Sequence, residues 1–115
     1  MFTTRDIALH LETAAAEKRL VTYSELAKAF PPMSKTFVPW PAHPLCEIFE
    51  QLDQEDSRNN LPFRTAIVVN AKTKMPGPGF FGMYKRLRRK SLIQSEQHIY
   101  WSGEVRDVYG YYSPR

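Results

Sequence analysis

The fold is best worked out from residues 21–27, Val21-Thr22-Tyr23-Ser24-Glu25-Leu26-Ala27. Thr22 stands three residues before Glu25, a spacing that lets the hydroxyl cap a helix start while the carboxylate reaches back to the cap. Apolar residues follow at helical spacing as far as Phe30, and Pro31-Pro32 cannot continue a helix. We therefore expect a short helix here.

Upstream, the same signal marks an earlier helix. Thr3 and Asp6 form a second pair with capping-box spacing. The apolar residues that follow recur at helical intervals, at Ile7, Leu11, Ala14 and Ala15. This pattern predicts an amphipathic first helix of about four turns.

Downstream, the five prolines of residues 31–44 favour an extended, turn-rich crossover. Pro44 is suited to a first helical position, and the apolar spacing then predicts a third helix of about three turns, which ends in the polar residues 57–60. We expect the outer face of this helix to carry Glu47, Glu50, Asp53, Glu55 and Asp56.

The second half of the chain begins with residues 65–69, a β-favouring run without polar alternation that predicts a short strand buried on both faces. Residues 70–79 contain two prolines and two glycines and are predicted to form a loop. In the helical turn that follows, Met83, Tyr84 and Leu87 are expected to face inward. Five basic residues are expected to point outward, namely Lys85, Arg86, Arg88, Arg89 and Lys90.

The end of the chain repeats apolar residues at i, i+4, i+7 and i+11, at Trp101, Val105, Val108 and Tyr112. We expect a closing helix over residues 95–111. With 115 residues, 43% of them hydrophobic, the chain is predicted to be one domain over residues 1–115, too small for a two-domain enzyme. The predicted fold class is α+β and mainly helical: a winged-helix-like helix-turn-helix with a short buried strand, a basic Pro/Gly loop and a C-terminal amphipathic helix.

Charge is unevenly distributed along the chain. Residues 1–56 carry nine acidic and five basic residues, whereas residues 57–95 carry nine basic residues and no acid. Such a run should make one face positive and suited to an anionic partner. The opposite charges of the two segments also allow self-association between copies.

Residues 21–27 resemble the segment that opens the DNA-binding domain of the DNA alkyltransferases and of their inactive alkyltransferase-like relatives, where a Thr-Tyr-Gly-x-Leu-Ala motif starts a helix-turn-helix. Residues 66–70, the Lys/Gly loop, Phe81-Gly82 and a basic helix with Leu92 are similar to that family's active-site strand, glycine-rich loop and closing helix. The resemblance implies DNA binding and a DNA-backbone contact for Tyr23, whose hydroxyl could instead cap the second helix.

The same resemblance implies that alkyl transfer is absent. The family needs a thiolate in a Pro-Cys-His-Arg segment, and this chain has Phe63-Arg64-Thr65-Ala66 there. Its single cysteine, Cys46, is placed on the third helix, where we expect an inert thiol that forms no internal disulfide. The three histidines are far apart in the sequence and form no metal-ligand motif. We expect no enzymatic activity, no catalytic or metal-binding residues and no cofactor.

We therefore expect a cytoplasmic, non-enzymatic protein that binds nucleic acid, duplex DNA in particular, and that does not enter membranes. The acidic third helix would be repelled by phosphates, so the loop and the basic helix should make the contacts. The expected nucleic-acid-binding residues are Tyr23, Lys72, Lys74, Lys85, Arg86, Arg88, Arg89 and Lys90. The alternative is a small adaptor that binds a protein partner through the acidic helix or the aromatic C-terminus.

Overall fold

A computed structural model describes residues 3–30 and 44–113 of the chain. In this part the helices are α1 Thr4–Ala16, α2 Tyr23–Ala29, α3 Pro44–Arg58, α4 Pro78–Arg88 and α5 Gln94–Tyr112, with a 3-10 helix at Arg64–Ile67. The same residues form two strands, β1 Val21–Thr22 and β2 Val68–Val69. The prediction of a mainly helical α+β fold is confirmed. The predicted proline-rich crossover falls on residues 31–43, outside the described residues.

The start of α1 forms as predicted. The Thr3 hydroxyl accepts a hydrogen bond from the Asp6 backbone N–H (3.2 Å), and the Asp6 carboxylate accepts one from the Thr3 N–H (2.7 Å). Two of the N–H groups that a helix start leaves free are thereby satisfied. The apolar stripe of this helix enters the core, and α1 packs against α3, α5 and the 3-10 helix.

The start of α2 forms only half of the predicted capping box. The Thr22 hydroxyl accepts from the Glu25 N–H at 3.0 Å, but the Glu25 carboxylate turns toward α1 instead of the cap. It accepts hydrogen bonds from His10 (2.9 Å) and Arg19 (3.1 Å). Partial burial opposes ionisation of Glu25, yet these partners hold its pKa below the usual value. Instead of completing the cap, the Glu25 carboxylate links the start of α2 to His10 on α1 and to Arg19, which follows α1.

The predicted strand over residues 65–69 is shorter than expected. Val68 and Val69 pair in parallel with Val21 and Thr22, while Arg64–Ile67 forms a 3-10 helix. Every residue from Phe63 to Val69 is buried, as predicted for this run. The prediction of burial is confirmed, and the prediction of a five-residue strand is wrong. A continuous apolar run has no periodicity by which a strand can be distinguished from another buried conformation.

The prediction that all five acids of α3 lie on its outer face is wrong for two of them. Asp53 and Asp56 are 2% and 0% exposed, whereas Glu47, Glu50 and Glu55 lie on the surface. Both buried acids stand one turn after apolar core positions, and each has a polar partner inside the fold, Thr65 for Asp53 and Arg64 for Asp56. Paired carboxylates are the ones that globular cores tolerate.

Arg64 joins α1, α3 and the 3-10 helix from the interior. It is 4% exposed and donates to Glu12 at 2.8 Å and to Glu55 at 3.2 Å. One oxygen of Asp56 accepts from the Arg64 N–H (3.0 Å) and Nε (3.2 Å). The other oxygen lies 2.9 Å from Arg64 Nη2 in an ion pair that lacks hydrogen-bond geometry. Burial lowers the pKa of Arg64, but its carboxylate partners more than offset this, so its charge is permanent.

The closing helix agrees with the prediction to within one residue at each end, Gln94–Tyr112 against 95–111. Val108 is fully buried, and Trp101 donates its indole N–H to the Ala66 carbonyl at 2.7 Å. Glu104, a further buried acid, accepts a hydrogen bond from the Phe63 N–H at 2.8 Å. None of the helices in the described residues has the length and apolar character needed to cross a membrane.

Candidate nucleic-acid interface

The loop that carries Lys72 and Lys74 is held by its own hydrogen bonds. The Asn70 side-chain oxygen accepts from the Lys72 N–H (2.8 Å) and the Thr73 N–H (3.3 Å), and the Asn70 carbonyl accepts from the Lys74 N–H (2.8 Å). Lys74 has a φ of 60°, which closes the turn. Both lysines are exposed. The loop therefore presents two cations on an ordered backbone.

Helix α4 begins at Pro78, so the predicted loop of residues 70–79 ends two residues early, at Gly77. Proline is favoured at a first helical position because it has no N–H to satisfy and its φ is already helical. As predicted, Met83 and Tyr84 face inward, and Leu87 packs half-buried against the core.

The exposed side of α4 carries glycines, which have no side chain, in its first half and basic residues in its second half. Gly79, Gly82 and Arg86 recur at i, i+3 and i+7 and so share one face. A side chain built at either glycine would meet nothing within 4 Å. Lys85 and Arg86 are both exposed on this side.

Arg88 was predicted to point outward with the other basic residues of this segment, and this prediction is wrong. Its guanidinium donates to the Leu61 carbonyl (3.1 Å) and to Glu104 (2.9 Å) and lies 4.4 Å from the centre of the Phe63 ring. A buried carboxylate and an aromatic face draw it inward because both interact favourably with a cation. Arg88 therefore joins α4 to α5, and its charge is paired with the carboxylate of Glu104.

The remaining two basic residues follow the end of α4. Arg89 takes the left-handed conformation (φ 54°) that terminates the helix, and it is exposed. Lys90 is also exposed, and its ammonium group lies 4.8 Å from the centre of the Tyr100 ring. Both cations remain accessible to a partner.

We define the basic surface as six exposed residues, Lys72, Lys74, Lys85, Arg86, Arg89 and Lys90. Within residues 3–30 and 44–113, no carboxylate lies at ion-pair distance from any of them. The two basic residues that turn inward, Arg64 and Arg88, are by contrast both paired with acids. The charge of the basic surface is therefore not neutralised within the described fold.

Tyr23, the remaining predicted contact residue, lies at the junction of α2 and the loop. Its hydroxyl accepts a hydrogen bond from the Gly77 N–H at 2.8 Å, and its ring packs near Phe49 with 6.2 Å between ring centres. Burial raises the pKa of Tyr23 above its usual value. The sequence also allowed the Tyr23 hydroxyl to cap α2. In the structure it instead accepts a hydrogen bond from Gly77, the residue that precedes α4.

Behind this junction lies a cavity of about 370 Å³ between α2, α3, the 3-10 helix and the start of α4. Its wall includes Tyr23, Cys46, Phe49, Asp53, Thr65 and Phe80. Sequence reasoning did not identify this cavity. Two features of the sequence point to it. Thr65 is a single polar residue in an apolar run, and Asp53 follows Phe49 by one turn on the core side of α3.

Cys46 lies on α3, as predicted, and is half-buried in the cavity wall. Burial and the nearby Glu50 carboxylate raise the pKa of its thiol. A raised thiol pKa lowers the fraction of thiolate, the nucleophilic form. The hydroxyl of Thr65, on the opposite side of the cavity wall, donates a hydrogen bond to Asp53 (2.5 Å).

Metal binding has no obvious site in the described part of the chain. His10 bonds Glu25, and His98 packs edge-on against Trp101, while His43 lies outside the described residues. No group of three or more His, Cys, Asp or Glu side chains among residues 3–30 and 44–113 is arranged to hold a metal ion.

No protein-family model, curated protein or solved structure matches this chain.

Proposed function

We propose that this protein is a non-enzymatic, winged-helix-like nucleic-acid-binding protein that binds duplex DNA through the phosphates. The residues that contact phosphate are those of the basic surface, with Lys72 and Lys74 on the loop and four more at the end of α4. Tyr23 and Arg88 act behind this surface, where Tyr23 holds the loop at Gly77 and Arg88 fixes α4 against α5. In this proposal the loop acts as the wing.

The observation that carries the proposal is the absence of acidic partners for six exposed cations in the described fold. Exposed acids occur on α3, at Glu47, Glu50 and Glu55, yet none pairs with the basic surface. Unpaired lysines and arginines are what a polyanion neutralises when it releases its counterions.

The spacing of the cations suits a duplex. Helix α4 has 11 residues, so its two ends are about 16 Å apart at 1.5 Å per residue. This is roughly half of the ~34 Å helical turn of DNA. The loop at one end and the cationic cluster at the other would therefore contact phosphates about half a turn apart, with the glycine face between them allowing close approach.

Two further features support binding without catalysis. The resemblance of residues 21–27 to the DNA-binding domain of the alkyltransferases favours DNA as the polyanion. The raised pKa of Cys46 and the replacement of the family's cysteine motif by Phe63-Arg64-Thr65-Ala66 favour an alkyltransferase-like binder over an alkyltransferase.

The test is fluorescence anisotropy of a labelled duplex and its single strand at about 50 and 200 mM salt, where six phosphate contacts predict a loss of affinity of about 10³-fold. Lys85→Ala, Arg86→Ala and Arg89→Ala should each weaken binding to all sequences and reduce the salt slope by about one. Arg106→Ala is the matched control, because Arg106 is an 82% exposed cation on α5 outside the basic surface. Absence of binding at the lower salt concentration would refute the proposal.

The second candidate function is the protein-binding adaptor. The exposure of Tyr111 (55%) near the end of α5 and that of three acids on α3, Glu47, Glu50 and Glu55, favour it. An adaptor predicts no salt-dependent DNA binding and no response to the three alanine variants.

A further inference from the structure

The cavity behind the loop has an uncompensated carboxylate in its wall. Asp53 is 2% exposed, and one of its oxygens accepts a hydrogen bond from the Thr65 hydroxyl (2.5 Å). No hydrogen bond to the second oxygen is made by residues 3–30 or 44–113, and this oxygen, unlike Asp56 Oδ1, is not sealed in the interior but is open to the cavity. A buried carboxylate normally has a cation or several donors around it, so Asp53 is unusual.

The charged groups around Asp53 increase its need for a cation. On its own helix these are Asp56 and Glu50, and from α5 it is Glu104; all three are acids. Tyr23 faces it from α2 as a neutral phenol, and Thr65 faces it from the 3-10 helix. Arg64, the buried cation of this region, is engaged by Glu12, Glu55 and Asp56.

We propose that this cavity binds a small organic cation, an aromatic ammonium or amidinium, whose charge pairs with Asp53. None of the six residues of the basic surface lines this cavity, so the proposal can be tested without DNA.

The shape and chemistry of the wall favour this class of ligand. The volume of about 370 Å³ lies at the lower end of the range of small-molecule sites, which suits one aromatic ring with a short substituent. The rings of Tyr23, Phe49 and Phe80 line the cavity and attract cations as well as apolar groups. An anion would meet Asp53 and Glu50, and a neutral apolar molecule would leave the Asp53 oxygen without a donor.

Binding should depend on pH in a defined direction. Burial raises the pKa of Asp53 to about 7. A cation binds the ionised carboxylate, so affinity should rise as pH increases toward 8 and fall about tenfold for each pH unit well below 7.

The experiment is calorimetric titration of the full chain with benzamidine at pH 8 and pH 6, with neutral benzamide as the ligand control. We expect binding at pH 8 that is about tenfold weaker at pH 6, and little binding of benzamide. Asp53→Asn keeps the shape of the side chain and should weaken benzamidine binding by about tenfold or more. Asp107→Asn, at an exposed acid on α5, is the matched control and should leave affinity unchanged.

Cys46 gives a second readout that does not depend on a variant. It is the chain's single cysteine and lies in the cavity wall, so bound benzamidine should slow its alkylation by iodoacetamide. Equal binding of benzamide, unchanged affinity in Asp53→Asn, or unprotected Cys46 at saturating benzamidine would each overturn the proposal. The result of the DNA-binding test does not affect this proposal, because none of the basic-surface variants changes a residue that lines the cavity.

Discussion

Replacing Asp53 with asparagine should stabilise the folded chain, and the gain should grow with pH. The carboxyl has a pKa of about 7 in the fold because it is buried, and about 3.9 when the chain is unfolded. Between these values the folded chain holds a proton that the unfolded chain has lost, so a rise in pH favours unfolding. Asparagine does not ionise, and the variant therefore lacks this penalty.

The size of the effect follows from the two pKa values. Between pH 5 and pH 8, ionisation of Asp53 should reduce the free energy of unfolding of the parent chain by about 2.5 kcal/mol. The stability of Asp53→Asn relative to the parent should rise by the same amount over this interval. Other titrating groups are common to both chains and cancel in the difference.

The assay is urea unfolding followed by tryptophan fluorescence at several pH values from 5 to 8, analysed with the same m-value for both chains. Asp107→Asn should show no such trend, because Asp107 is exposed in both folded and unfolded chains. A stability difference between Asp53→Asn and its parent that is constant with pH would refute the argument. So would a difference that falls as the pH rises, which would mean that a cation already neutralises Asp53 in the fold.

Two further predictions concern the interface. Tyr23→Phe removes the acceptor of the Gly77 N–H, so it should cost about 1–2 kcal/mol in urea unfolding and, by loosening the loop, lower duplex affinity by less than Lys85→Ala does; an intact stability with weakened DNA binding would instead make Tyr23 a direct contact. Gly82→Glu should stabilise α4 by about 0.5–1 kcal/mol, since its side chain meets open space, yet it should weaken duplex binding by placing an acid beside Arg86. Gly82→Ala is its control, and equal DNA affinity of the two variants would contradict the proposed surface.

The sequence predicted helix positions well because their signals are local. The Thr3 and Thr22 caps lie within three residues of the groups they bond, and proline at residue 44 is compatible with one place in a helix. The α5 stripe likewise needs no information beyond its own spacing. These elements can be predicted because the residues that determine each of them are neighbours in the sequence.

The errors involve partners that are distant in the sequence. Charge alone predicts a surface position for Asp53 and Asp56, yet both are buried because Thr65 and Arg64 reach them across the fold. Arg88 turns inward for the same reason, toward an acid 16 residues away. For the candidate site, six of the eight predicted contact residues are exposed and form no ion pair with the described part of the chain. The cavity beside them depends on tertiary packing that no spacing rule describes.

The hydrogen bonds of the loop have a consequence for the entropy of binding. Because Asn70 closes the loop at one end and Tyr23 holds Gly77 at the other, the backbone between them is already ordered before any ligand arrives. Immobilising the side chains of Lys72 and Lys74 would then be the main ordering cost, at about 0.5–1.5 kcal/mol each. Association of this kind proceeds as rigid docking, without the large heat-capacity change that accompanies folding upon binding.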